Sequence, residues 1–133
     1  MARLDAATLA EFARVDASGL LTVVGGGFTE VTAIGPAGQM PLTLAFRVVV
    51  GEDEETPSFT VTASPPDRSY VINFEGQIPV PEQPKVIEGE YSVQATVSLL
   101  MAVAEEGIYR VNLKLSTGDE RELRFRVKLT VPG

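Results

Sequence analysis

Side chains that could carry acid–base or nucleophilic chemistry are few in this sequence. The chain has no histidine and no cysteine, which removes the usual general base, the commonest metal ligand and all thiolate chemistry. Ser18, Thr22 and Ser69 therefore have no histidine that could activate their hydroxyl groups. We predict that the protein is not an enzyme, has no catalytic residues and binds no cofactor.

An acidic run is the one weak candidate for a metal site, formed by Glu52, Asp53, Glu54 and Glu55. Ca²⁺ binds carboxylate oxygens in flexible geometry, but this run lacks the alternating spacing and the central glycine of a dedicated loop. A solvated acidic loop is the interpretation that we favour, so no metal site is predicted.

Basic residues concentrate near the end of the chain. Residues 1–109 hold five basic and fifteen acidic side chains, whereas residues 110–133 hold six basic and three acidic ones. Five of the basic residues are predicted to share the outward face of the last two strands: Arg110, Lys114, Arg124, Arg126 and Lys128. This asymmetry favours either charge pairing across one sheet face or docking of an acidic partner, including a second copy of this protein. An edge strand would add backbone pairing between copies, and the final strand is one candidate for it. The net charge of −7 argues against nucleic-acid binding.

A glycine-rich stretch near the start organises the predicted fold. Two apolar runs, Phe12–Val15 and 20–24, flank Asp16-Ala17-Ser18-Gly19, which is typical of a hairpin turn. Gly25-Gly26-Gly27 then allows a bulge or a sharp bend, and no Lys-Ser/Thr pair follows that would indicate a phosphate loop. Because Phe28 restarts the alternation, we predict a three-stranded meander here.

Alternating apolar and polar residues predict strands along the rest of the chain. The predicted strands are 42–50, 58–64, a short one around 70–74, 94–103, 108–115 and 122–131. Residues 34–41, which contain two glycines and two prolines, are predicted to be a connection. Residues 76–89 contain three prolines and are predicted to cross between sheets. Residues 1–9 are predicted to be an N-terminal arm, which is helical or irregular or else extends directly into the first strand.

These strands predict one all-β domain over residues 1–133. We expect a two-sheet antiparallel β-sandwich of about eight or nine strands, with immunoglobulin-like or jelly-roll-like connections. Gly107-Ile108-Tyr109 before a late strand is typical of a tyrosine corner, in which the hydroxyl bonds the backbone of the preceding loop. No signal peptide is recognisable, and no apolar run reaches the roughly 20 residues of a membrane helix. We therefore expect a cytoplasmic or virion location and no membrane partner.

The opening motif also resembles a known family. Val-Asp-x-x-Gly-Leu-Leu-x-Val at residues 15–23, then Gly-Gly-Gly at 25–27 and later Gly-x-Tyr at 107–109, is similar to small uncharacterised bacterial proteins common in actinobacteria. That family is a domain of unknown function. The resemblance implies a β-sandwich and a bacterial or phage source, and it brings no catalytic residues.

The function expected from the sequence is binding rather than catalysis. We predict a non-enzymatic protein that acts through protein–protein contacts, or as a structural or assembly component, with another protein or itself as the partner. A phage capsid or tail decoration protein is one alternative. A divalent-metal or carbohydrate-binding module is another, and calorimetry with Ca²⁺ and a glycan panel separates it from the first two.

Overall fold

The computed structural model of this protein describes residues 1–34, 38–80 and 82–130, without the side chains of residues 33 and 34. In chain order, the strands among these residues are β1 (Arg3–Ala10), β2 (Phe12–Val15), β3 (Leu21–Val24), β4 (Glu30–Ile34), β5 (Gly38–Gly51), β6 (Ser58–Ser64), β7 (Ile72–Gln77), β8 (Glu90–Val103), β9 (Gly107–Leu115) and β10 (Glu120–Thr130). No helix long and apolar enough to cross a membrane occurs in this described part of the chain.

The strands form two main sheets and a separate hairpin. One sheet has three strands in the order β1-β5-β8, the other has five in the order β4-β10-β9-β6-β7, and β2 pairs with β3 alone. The all-β prediction is confirmed. The described strands number ten rather than eight or nine, and β4 pairs with β10 in parallel, so the arrangement is not purely antiparallel. The immunoglobulin-like or jelly-roll-like connectivity stays a prediction.

The core lies between the two main sheets. Successive strand residues point to opposite faces, so the alternating apolar residues of β5, β6, β9 and β10 line one continuous interior. The Phe46 ring of β5 meets the Phe59 ring of β6 edge-on, with centroids 5.1 Å apart. On the five-stranded sheet Tyr109 stacks on Phe125 at 5.6 Å. The predicted apolar faces of these strands are therefore buried.

The predicted strands are found, with differences at their ends. β6 has the predicted bounds, while β5 begins at Gly38 instead of 42 and β8 begins at Glu90 instead of 94. The extra residues of β5 include Pro41, which was predicted to lie in a connection. Of the predicted strand 122–131, residue 131 lies outside the described residues.

Two predictions for the first third of the chain are revised. For residues 1–9 the helical or irregular alternative is wrong and the extended one is closer, since Arg3–Ala10 is strand β1. It pairs antiparallel with β5, and this tertiary pairing outweighs the local preference of an alanine-rich segment. The three-stranded meander stops after β3. Gly25 and Gly27 have φ of 64° and 76°, which turns the chain away from the hairpin. β4 then joins the five-stranded sheet beside β10.

The tyrosine corner is present as predicted. The Tyr109 hydroxyl donates a hydrogen bond of 2.8 Å to the Glu105 carbonyl oxygen in the turn before β9. The following hairpin between β9 and β10 closes through Gly118, whose φ is 104°. The segment from β7 to β8 crosses from the five-stranded to the three-stranded sheet, as the prolines predict.

Candidate protein-contact surface

The β2–β3 hairpin packs on the outer face of the three-stranded sheet. Ala13 of β2 and Leu21 of β3 contact Ala10 and Ala45 of that sheet, which form a small second apolar cluster. The alanines leave room for the hairpin because their side chains are short. The sheet is thus covered on both faces here, by the core on one side and by the hairpin on the other.

The hairpin turn is held by a single carboxylate. Oδ1 of Asp16 accepts hydrogen bonds from the Ser18 backbone N–H at 2.9 Å, the Ser18 hydroxyl at 2.7 Å and the Leu20 N–H at 3.0 Å. The Ser18 hydroxyl and then the Leu20 N–H hold the pKa of Asp16 below its ordinary value. Gly19, with φ of 82°, completes the turn. The turn presents Leu20 outward at a defined position.

A groove lies between this turn and the crossover segment. We define the crossover segment as residues 78–89, of which the structure describes all but residue 81. The groove has a volume of about 700 Å³, and its lining includes Leu20, Val49 and Ile87. The Leu20 and Ile87 residues are 64% and 74% exposed. We call this site the hairpin groove. Its exposed aliphatic rim suits contact with an apolar side chain of another molecule.

Two ion pairs lie in the lining of the hairpin groove. Arg3 donates to Glu90 at 2.6 Å, and Arg47 lies 3.0 Å from the Asp5 carboxylate. The hydrogen bond between Arg3 and Glu90 raises the pKa of the guanidinium and lowers the pKa of the carboxyl. These four charges therefore balance each other, and Lys85 adds one further positive charge to the lining.

A second groove of about 580 Å³ runs along the edge of β8, between the same turn and the crossover segment. Its lining includes Val15, Ala17, Val80 and Ser92. We call it the edge groove.

One residue of the acidic run, Glu54, forms hydrogen bonds that hold the fold together. The Glu54 carboxylate accepts hydrogen bonds from the Ala2 N–H at 3.0 Å and the Gly51 N–H at 2.7 Å. Glu54 therefore fixes the start of the chain against the loop after β5. The described residues hold no group of three or more acidic, histidine or cysteine side chains placed to bind one metal ion. Glu52, Asp53 and Glu55 are not brought together around a cation by this loop.

The predicted basic residues do share the outward face of β9 and β10, but acidic residues are interleaved with them. Arg110 lies 3.2 Å from Glu122, and Lys128 lies 3.4 Å from Glu30 on β4. The backbone register also places Lys114 opposite Glu120, Arg124 opposite Arg110, and Arg126 opposite Glu30. Two of the five basic residues thus form ion pairs on this face, whereas Arg124 lies opposite a like charge.

One part of the charge hypothesis is wrong. The final strand was one candidate for an edge strand that pairs with another copy. β10 is paired on both sides, with β9 and with β4, so its backbone groups are not open. Only the side chains of this face remain for docking an acidic partner, which stays a prediction.

The profile of a family of unknown function, DUF6941, matches residues 5–128. The chain belongs to this family. Its membership agrees with the resemblance to an uncharacterised domain, while the link to actinobacteria is untested. No curated protein matches the chain. A crystal structure named as an ApaA protein from Bordetella pertussis is similar over 75% of this chain and 98% of its own, at 13% identity and a TM-score of 0.23.

Sequence reasoning on this DUF6941 chain missed both grooves. They form where the hairpin turn and the crossover segment, about 60 residues apart in sequence, meet over one end of a sheet, and no local pattern predicts that meeting. One signal was available for the edge groove. Residues 91–103 carry no charge, which is unusual for a strand at the edge of a sheet.

Proposed function

We propose that this chain is a non-catalytic β-sandwich that works by binding other proteins through the hairpin groove. The observation that carries the proposal is the pair of exposed aliphatic side chains, Leu20 and Ile87, on either side of a groove of about 700 Å³. Binding hot spots commonly consist of a few large side chains in such a pocket, surrounded by polar residues that exclude water.

The chemistry of the groove indicates what its partner presents. Leu20, Val49 and Ile87 favour an aliphatic or aromatic anchor, because burying such a side chain contributes about 1.5–3 kcal/mol. The paired charges of Arg3 and Glu90 suit polar groups at the rim. The net charge of −7 favours a partner whose surrounding surface is basic, since complementary charge speeds association.

The proposal is tested by co-purification from cells of the organism that encodes the chain. The wild type is compared with Leu20→Asp combined with Ile87→Asp, and with Val71→Asp as a matched control, because Val71 is 52% exposed and adjoins the other sheet. We expect the double variant to recover about one tenth or less of the partner that the wild type recovers, which corresponds to a loss of about 1.4 kcal/mol of binding free energy. The control retains the partner.

Two results would contradict this function. One is equal recovery of the same proteins by the wild type and the double variant. The other is binding of Ca²⁺ or of a glycan in calorimetry with no protein partner recovered, which would favour the metal- or carbohydrate-binding class. Circular dichroism of each variant checks that the fold is retained, as expected for exposed positions.

A further inference from the structure

The free edge of β8 is unusually long, and the hairpin turn and the crossover segment flank it only near its start, at residues 92–94. β8 pairs with β5 along its whole length on one side and ends the order of the three-stranded sheet on the other. It has 14 residues, and from Tyr91 to Val103 it contains neither a charged residue nor a proline. Natural edge strands are usually short, charged, bulged or covered, because an open strand edge pairs readily with another chain.

Three observations show which backbone groups face this free edge. Glu90 exchanges both of its backbone hydrogen bonds with Ile87, which lies outside the sheet. The Ala102 carbonyl oxygen accepts a hydrogen bond from the Tyr70 hydroxyl. Leu100 lies opposite Pro41, which has no N–H to donate to it. Residues in an antiparallel strand alternate between neighbours, so the even-numbered residues of β8 face outward.

A run of unpaired backbone groups therefore lies between these two ends. Five residues, Ser92, Gln94, Thr96, Ser98 and Leu100, direct their N–H and C=O groups to the free edge. Within the described residues none of these groups bonds another part of the protein. Ser92, Ser98 and Leu100 are exposed and the other two are half-buried.

The other edge of the same sheet is protected in detail. The Leu4 N–H donates to Asp119 at 2.7 Å, and the Leu4 carbonyl oxygen accepts from Arg121 at 3.2 Å. The Ala2 N–H and carbonyl oxygen bond Glu54 and Thr117. In the five-stranded sheet the edge strands β4 and β7 have only five and six residues. Among the described edges, β8 is the exception.

We propose that β8 pairs antiparallel with β8 of a second copy across a two-fold axis at Thr96. This joins two three-stranded sheets into one six-stranded sheet. The inference rests on the protein-binding function proposed above and adds a second contact surface, whose partner is another copy of the chain. The register places Thr96 opposite itself, Gln94 opposite Ser98, and Ser92 opposite Leu100. Every free backbone group of the five residues then meets its complement in the other copy.

A second copy fits this edge better than an arbitrary strand for two reasons. A second copy offers an equal run of five free residues, so antiparallel pairing about a two-fold axis at Thr96 leaves none of them without a partner. The paired strands also carry no charge from Tyr91 to Val103, so no like charges lie opposite each other in this register. In this register Leu100, which is 53% exposed, reaches the edge groove of the other copy beside Ser92, where Val15 and Val80 lie.

One strand pair is a small interface, so we expect a dissociation constant on the order of micromolar. Sedimentation of the wild type over a concentration series measures it. Ser98→Pro removes an outward N–H without breaking the ladder to β5, and Thr96→Lys places two ammonium groups at the axis. Each should raise the dissociation constant at least about tenfold. The control is Thr60→Lys, because Thr60 lies between Glu75 and Lys114 in the other sheet. It should leave the dissociation constant unchanged.

Amide hydrogen exchange gives a second readout on the intact chain. The amides of the five outward residues should become protected as protein concentration rises, while those of Val93, Val97 and Leu99 are protected at every concentration. Added salt should have little effect, in contrast to an association through the basic residues of β10.

A wild-type chain that stays monomeric up to about 1 mM overturns the proposal, even if another protein covers β8 in the cell. So does a dimer that both β8 variants leave intact. Neither outcome bears on the partner of the hairpin groove, because Leu20 and Ile87 lie outside the proposed strand pair and their co-purification test is separate.

Discussion

Replacing Tyr109 by phenylalanine isolates the hydroxyl of the tyrosine corner. The ring is fully buried, and it stacks on Phe125, so the phenylalanine ring fills the same space. Only the hydrogen bond of 2.8 Å to the Glu105 carbonyl oxygen is lost. That bond ties the turn before β9 to the core, and its net contribution should be about 1 kcal/mol.

Thermal and urea denaturation followed by circular dichroism measure this loss. For a chain of 133 residues, about 1 kcal/mol corresponds to a fall in the melting temperature of about 3–5 °C. Tyr91→Phe is the control, because most of Tyr91 is also buried, while its hydroxyl bonds none of the described residues and reaches solvent. The control should melt within about 1 °C of the wild type.

The pH dependence gives a further check. Burial raises the pKa of Tyr109 above its ordinary value of 10.0, so the folded protein favours the neutral phenol. The contribution of this group is therefore complete below pH 10 and is lost as the pH rises through the folded-state pKa. The difference in stability between the wild type and Tyr109→Phe should therefore become smaller as the pH rises through the folded-state pKa of Tyr109. Equal melting of the wild type and Tyr109→Phe at neutral pH would refute the structural role of the hydroxyl.

Two further predictions concern the fold. Asp119→Asn should destabilise by about 1–2 kcal/mol at pH 7, a range reduced for partial exposure. Hydrogen bonding to the Leu4 N–H lowers the pKa of Asp119 from its ordinary 3.8, so the wild-type advantage is full above about pH 4 and is lost as the pH falls through the folded-state pKa. An advantage in urea melts that does not shrink as the pH falls below about 4 would contradict this. Gly76→Ala should lower the free energy of unfolding by about 1–3 kcal/mol, because its Cβ would lie 2.6 Å from the Phe59 ring. Gly38→Ala, which has open space around its Cβ, is the control and should have near wild-type stability in the same melts. Equal stability of the two variants would show that the Phe59 ring moves to make room.

Local patterns predicted those parts of the fold that depend on one strand and its turn. The strict alternation in 58–64 gives β6 its bounds, and Asp16 with Gly19 predicted the β2–β3 turn, because both signals act within a few residues. The local patterns failed where the conformation of a segment depends on pairing with a distant strand. β1 exists because β5 pairs with it, and an alanine-rich segment carries no mark of that pairing.

The same limit applies to the candidate sites. The outward basic face of β9 and β10 was predicted, because alternation assigns side chains to faces. Which strand lies at an edge was not, because β10 gains its second neighbour from β4, about 90 residues earlier in the chain. The hairpin groove depends likewise on two distant loops meeting. The uncharged run of residues 91–103 was the one local sign of an open edge.

Site-specific photo-crosslinking in cells of the source organism tests the proposed protein-binding function most directly. A photoreactive amino acid is placed at Leu20 on the rim of the hairpin groove, and at Glu75 on the exposed outer face of the five-stranded sheet as the control. We predict a discrete cross-linked protein from position 20 that is absent from position 75. No cross-link from position 20, or the same products from both positions, would contradict binding through the hairpin groove.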